Sequence, residues 1–110
     1  MRGLLLEYPQ SVDNSPLRLA DVPMPEPTSG QVRVRIRCCA ICHTDLHIVE
    51  GDLPLPKIPV VPGHQIVGTV DSLGSGVHTL KPGDRVGIPW LYSTDGTCPY
   101  CRRHTENLCE

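Results

Sequence analysis

Twelve prolines and ten glycines punctuate this 110-residue chain, a fifth of its length. Proline removes a backbone donor and fixes φ, and glycine adds flexibility that long helices do not tolerate well. A helical bundle is therefore excluded, and short strands joined by many turns are expected. Phenylalanine is absent, so valine, leucine and isoleucine must build the core. A chain of this length is one domain's worth and buries a modest core.

The pattern along the chain supports that reading. Residues 3–8 and 17–22 read as the first two strands, separated by a polar loop. Gln31 to Cys38 is the clearest strand, with Val32, Val34, Ile36 and Cys38 on one face. Arg33, Arg35 and Arg37 fall on the other, read as a solvated face. His43 to Glu50 predicts a short helix that Gly51 ends. Asp52 to Pro62 reads as a proline-bearing loop. Ile66–Leu73, interrupted by Gly68, and Arg85–Ile88 read as further strands, and 93–109 as a turn-rich lobe. The expected architecture is an antiparallel, barrel-like β domain with one short helix, occupying residues 1–110 as a single unit.

Bulk properties narrow the function. A net charge of −2 and a pI near 6.2 leave no electrostatic footprint for nucleic acid. No basic amphipathic stretch suggests a membrane surface, and no apolar run reads as an export signal or a span. A cytoplasmic protein is expected. With no export signal, the six cysteines read as metal ligands and packing residues rather than bridges.

Two clusters carry the chemistry. In the first, Cys42 lies at the predicted helix start, where backbone N–H groups favour a thiolate. His64 follows Gly63 just before a strand. Sulfur and nitrogen donors of this kind suit Zn²⁺, and a catalytic site needs three protein ligands and one open position. Cys42 and His64 supply two, and no third is evident. Thr44 could take a proton from a metal-bound oxygen, His47 could carry it to solvent, and Asp45 could orient a ligand histidine. Thr44 and Asp45 also fit simple helix capping, and His47 also fits a surface helix position. Cys38 fits the apolar strand face and Cys39 packing beside the site. In the second cluster, Cys98, Cys101 and Cys109 read as a structural zinc knot that wants a fourth ligand. Asp95 stands three before Cys98 and His104 three after Cys101; either could complete it.

Together these motifs resemble the zinc-dependent, medium-chain alcohol dehydrogenase family. The resemblance runs from Glu26-Pro27 through Cys42-His43-Thr44-Asp45-Leu46-His47 and is most specific at Gly63-His64-Gln65-Ile66-Val67-Gly68. It continues through Gly74, Val77 and Gly83-Asp84-Arg85-Val86-Gly87 into the cysteine cluster. It implies a GroES-like β-barrel with a zinc-binding lobe, catalytic zinc on Cys42 and His64, and a third ligand further on. It implies a proton relay through Thr44 and His47, and places His43 near the cofactor pyrophosphate. It implies structural zinc on the lobe, with Asp95, Cys98, Cys101 and Cys109 as its set and His104 as rival to Asp95.

For the complete protein, the resemblance implies NAD or NADP as cofactor and an alcohol or aldehyde as small-molecule substrate, with self-association as a homo-oligomer. Residues 51–62 and Trp90-Leu91 are candidate pocket walls. No GxGxxG follows a strand here, so the chain reads as an N-terminal portion, inactive by itself, of an enzyme with a separate Rossmann domain. Two other classes fit the barrel: a non-catalytic zinc module, and a zinc-free quinone-reductase-like relative. Three positions depart from the family pattern. Gln65 stands where glutamate is usual, Asp95 where a cysteine is usual, and His104 where glycine is usual.

Overall fold

The structure, a computed structural model, describes residues 1–55 and 57–109. Pro56, within the expected Asp52–Pro62 loop, and Glu110 lie outside the described residues. Strands β1 (Arg2–Leu6) and β2 (Leu17–Asp21) pair antiparallel, in register from Arg2 with Asp21 to Leu6 with Leu17. Strands β3 (Val32–Ala40), β4 (Gln65–Leu73) and β5 (Arg85–Ile88) form a second antiparallel sheet in that order. Helix α1 (His43–Glu50) has the bounds read from the sequence.

The architecture is mainly β, as expected, but the two sheets do not close into one barrel among the described residues. The β1–β2 pair is joined to the rest through an isolated bridge from Leu6 to Val60 and through α1, not through a ladder with β3. Leu6 and Val60 exchange backbone hydrogen bonds of 2.8 and 3.0 Å. The core sits at that junction. Leu6, Ile48 and Val49 are buried there, with Leu17, Leu55 and Val60 packed against them. Burying these side chains contributes about 1.5–3 kcal/mol each. The Gln10 N–H reaches the Val49 carbonyl at 3.0 Å and ties the loop after β1 to the helix.

The β3 alternation is interrupted twice. Register shifts fall between Arg33 and Val34 and between Ile36 and Cys38. A bulge turns the following side chains to the other face, so the regular two-residue period read from the sequence does not persist. Ile36 and Cys38 are exposed, which corrects the inward placement expected of Cys38; Cys39, also exposed, lies against Gly63 beside the site. The arginine face is also not simply solvated. Arg33 is mostly covered and pairs with Asp71 at 2.7 Å and Glu26 at 2.9 Å, while Arg35 reaches Asp71 at 3.2 Å. The two guanidinium groups hold the Asp71 carboxyl below the usual carboxylate range. β4 runs through Gly68 without a break.

Gly74 closes the sheet end where β4 leaves β3. Its N–H donates to the Gln31 carbonyl at 2.8 Å, and a Cβ there would lie 1.7 Å from the Thr28 carbonyl oxygen. Gly87 on β5 has no such neighbour; its Cβ would lie 3.8 Å from the nearest atom. Gly74→Ala is expected to destabilise by about 3 kcal/mol or more, and Gly87→Ala to change stability by less than about 1 kcal/mol. Urea unfolding of both variants checks this.

Candidate metal centres and the cavity beside them

Helix α1 begins at Cys42, its N-cap in extended conformation (φ −130°, ψ 179°). The Asp45 carboxylate, one turn in, accepts the Cys42 N–H through Oδ2 at 2.9 Å. Its other oxygen, Oδ1, lies 3.1 Å from His64 Nδ1. Asp45 is buried, where a carboxylate must be paired; here both oxygens are engaged. The capping and ligand-orienting roles weighed from the sequence thus fall on one side chain. His64 then presents Nε2 to Cys42 Sγ, 3.3 Å away. Gly63 (φ +134°) lets His64 come this close, because a Cβ there would lie 2.9 Å from Cys39 Sγ.

Cys42, Asp45 and His64 offer donor atoms within 4.8 Å of one another. Sulfur and nitrogen ligands on one tetrahedral zinc stand about 3.5 Å apart; the Cys42–His64 contact is close to that separation. With Nδ1 on Asp45, the nitrogen left for a metal is Nε2. The donor set therefore fits zinc with Cys42 and His64 as ligands and Asp45 behind the histidine.

A cavity of about 1000 Å³ opens at this point, lined among others by Cys42, Thr44, Leu53, His64, Gln65 and Trp90. Trp90 sets its ring edge-on to His64, with centroids 4.9 Å apart at 81°. Thr44 and His47 are three apart on α1, so they are neighbours on one helix face. His47 Nδ1 lies 2.7 Å from Asp52 Oδ2, and its ring meets that of His43 edge-on at 4.7 Å. His43, the first residue of α1, is exposed. Sequence reasoning missed Asp52; the only signal was an acidic residue just after the glycine that ends the helix.

The second cluster gathers Asp95, Cys98, Cys101 and Cys109, again within 4.8 Å. Cys98 Sγ and Cys109 Sγ are 3.9 Å apart. That is too long for a disulfide, and it matches the roughly 3.8 Å edge of a tetrahedral zinc–sulfur site. No disulfide joins the described cysteines. Asp95 Oδ1 accepts the N–H groups of Thr97 at 2.8 Å and Cys98 at 2.9 Å. These backbone donors hold its carboxyl far below the usual range. Burial pushes the Cys101 thiol up to about 12, whereas the Cys101 N–H pulls the Cys98 thiol down. His104 stays outside the cluster. Its side chain is 92% exposed and faces Glu106 at 3.8 Å.

Residues 28–110 match the family described as the alcohol dehydrogenase GroES-like domain. An alcohol dehydrogenase from Geobacillus stearothermophilus is 53% identical over 96 residues, covering 86% of this chain and 28% of that protein. A crystal structure of an NAD-dependent alcohol dehydrogenase superposes with a TM-score of 0.82 at 33% identity, covering 99% of this chain and 31% of that one. A cobalt- and zinc-bound thermostable alcohol dehydrogenase from Pyrobaculum aerophilum superposes with a TM-score of 0.87 at 27% identity, covering 100% of this chain and 32% of that one. The chain thus spans less than a third of the length of these relatives. No helix among the described residues is long and apolar enough to cross a membrane.

His104 caps the short helical turn Cys101–Arg103 with φ +60° and ψ 38°, a left-handed conformation in which a Cβ is strained. His104→Gly is expected to raise stability by about 0.5–1 kcal/mol, after the entropy that glycine loses on folding. Thermal unfolding measures it, and zinc content is expected to stay unchanged.

Proposed function

The chain belongs to the alcohol dehydrogenase GroES-like domain family, and on that premise we propose that it carries the zinc-binding half of a catalytic centre that interconverts an alcohol and its aldehyde or ketone. The observation that supports this best is the Asp45–His64–Cys42 chain of contacts at the wall of the cavity. Two soft donors face one another there, and Thr44 stands on the same wall.

Cys42 and His64 would hold the catalytic zinc, with a third ligand from another part of the complete protein. Zinc bound there would supply Lewis acidity to an alcohol oxygen, easing loss of its proton. The alcohol loses a proton and a hydride. Thr44 would take the proton at its hydroxyl oxygen and pass its own hydroxyl proton on, and His47, one turn on, would release a proton to water. NAD⁺ or NADP⁺, bound in the complete protein, would supply the hydride acceptor. His43, exposed at the helix start, is assigned to the cofactor's pyrophosphate. Leu53 and Trp90 give the cavity apolar walls, which suit the carbon chain of a small alcohol.

The lobe is assigned a structural zinc on Asp95, Cys98, Cys101 and Cys109. A carboxylate and three thiolates carry the same formal charge as four thiolates, and zinc accepts oxygen as well as sulfur. Its support is the 3.9 Å sulfur pair and the ionised Asp95 beside it.

Elemental analysis of the purified chain tests the lobe assignment. One zinc is expected, retained in Cys42→Ser and lost in Cys101→Ser. Asp95→Ala is expected to lose it to a chelator sooner than the parent. Zinc that survives Cys101→Ser would remove the lobe site. In the complete enzyme, Thr44→Ala is expected to lower kcat about 10²–10⁴-fold. A turnover unchanged by that substitution would sink the relay.

A further inference from the structure

Two aspartate–histidine pairs flank α1, and both use the same ring atom. His64 turns Nδ1 to Asp45 Oδ1 at 3.1 Å, and His47 turns Nδ1 to Asp52 Oδ2 at 2.7 Å. The first pair leaves Nε2 facing a thiol. The second leaves Nε2 as the free nitrogen of a ring whose opposite edge is tied down.

The second tie is built by the way the helix ends. Gly51 caps α1 in the left-handed region (φ 86°, ψ 14°), and its N–H donates to the His47 carbonyl at 3.0 Å. The next N–H, that of Asp52, donates to the same carbonyl at 2.9 Å. This turn folds Asp52 back over the last turn of the helix, so its backbone and its side chain both grip His47. A Cβ on Gly51 would lie 2.9 Å from Pro9 Cβ, which requires a residue without one. On the other side of His47, the His43 ring meets it edge-on at 4.7 Å. The imidazole is thus bounded on two sides.

The contact contributes little to stability. The side chains of His47 and Asp52 are 43% and 57% exposed, and pairs so exposed contribute at most about 1 kcal/mol. Its consequence is chemical instead. An ionised carboxylate only accepts, so the 2.7 Å contact requires a proton on Nδ1. A neutral imidazole has one N–H to give, and it is then spent on Asp52.

We propose that Asp52 is the positioning residue for His47: its carboxylate holds the imidazole as the Nδ1–H tautomer and leaves the Nε2 lone pair as the atom that receives a proton. This assignment rests on His47 being the outer station of the relay from Thr44. It adds which nitrogen takes the proton and which side chain decides it. Asp52 also adjoins Leu53, which lines the cavity. The loop that shapes the substrate wall therefore carries the group that orients the relay.

Histidine-selective ¹⁵N labelling of the zinc-loaded protein tests it. The chain has five histidines, and His→Gln variants assign their ring signals. At a pH that keeps imidazoles neutral, His47 is expected to show a proton-bearing Nδ1 and a bare Nε2. Asp52→Ala is expected to lose the Nδ1 proton to Nε2, exchanging the two ¹⁵N positions. It keeps the backbone N–H that grips the helix end, and unchanged His64 signals verify the fold. Asp52→Asn, which retains an acceptor oxygen, is expected to keep the Nδ1 proton in part. A proton on Nε2 in the parent, or an Nδ1 proton that survives Asp52→Ala, overturns the assignment. The relay itself is read apart from this: His47→Gln with undiminished alcohol turnover in the complete enzyme would remove His47 from the reaction, whatever its tautomer.

Discussion

The Asp45 carboxylate is the contact on which the first cluster depends. One of its oxygens closes the start of α1 at the Cys42 N–H, and the other takes His64 Nδ1. A helix start leaves backbone donors without partners, and a buried carboxylate needs donors. Each need answers the other. The helix and the loop bearing His64 are separated by a long proline-bearing segment, yet a single side chain sets their spacing. The thiol and the imidazole nitrogen are thereby brought within hydrogen-bond reach, 3.3 Å apart. A hydrogen bond to a charged group contributes about 1.5–3 kcal/mol, so losing Asp45 loosens helix start and ligand histidine together.

The lobe solves a similar problem with less core to support it. Its two short helical turns bury Cys101 and otherwise expose most of their residues. Asp95 organises the turn before Cys98 by accepting two N–H groups through one oxygen. The thiols respond to opposite forces: burial resists ionisation at Cys101, and a backbone donor favours it at Cys98. Crowding a carboxylate and three thiols together stabilises the fold only if a cation offsets the charge.

Much of this was legible in the sequence, for identifiable reasons. The bounds of α1 were readable because Gly51 ends it. Both clusters of candidate ligands were readable because ligand chemistry restricts residue type and spacing tightly. Cys38 was misplaced because a bulge leaves no mark on an alternating pattern; only the pairing with β4 reveals it. The separation of the two sheets was hidden for a related reason. Hydrophobic periodicity gives each strand's faces but not which strand lies beside it. Arg33 was read as solvated because its partners, Glu26 and Asp71, come from a connector and another strand. Asp52 was missed because its role comes from a left-handed turn that folds it backward, which spacing alone does not encode.

Gln65 bears on the charge of the site. It follows the candidate ligand His64 and lines the cavity, and its amide is neutral at every accessible pH. The carboxylate in the Cys42–His64 cluster is Asp45, and both its oxygens are already engaged. It is therefore not available to move onto a metal without releasing the helix start and the histidine. A site so arranged holds its candidate ligands Cys42 and His64 in fixed positions. Its negative charge would come from Cys42 and Asp45, while Trp90, edge-on to His64, and Leu53 add apolar surface to the cavity.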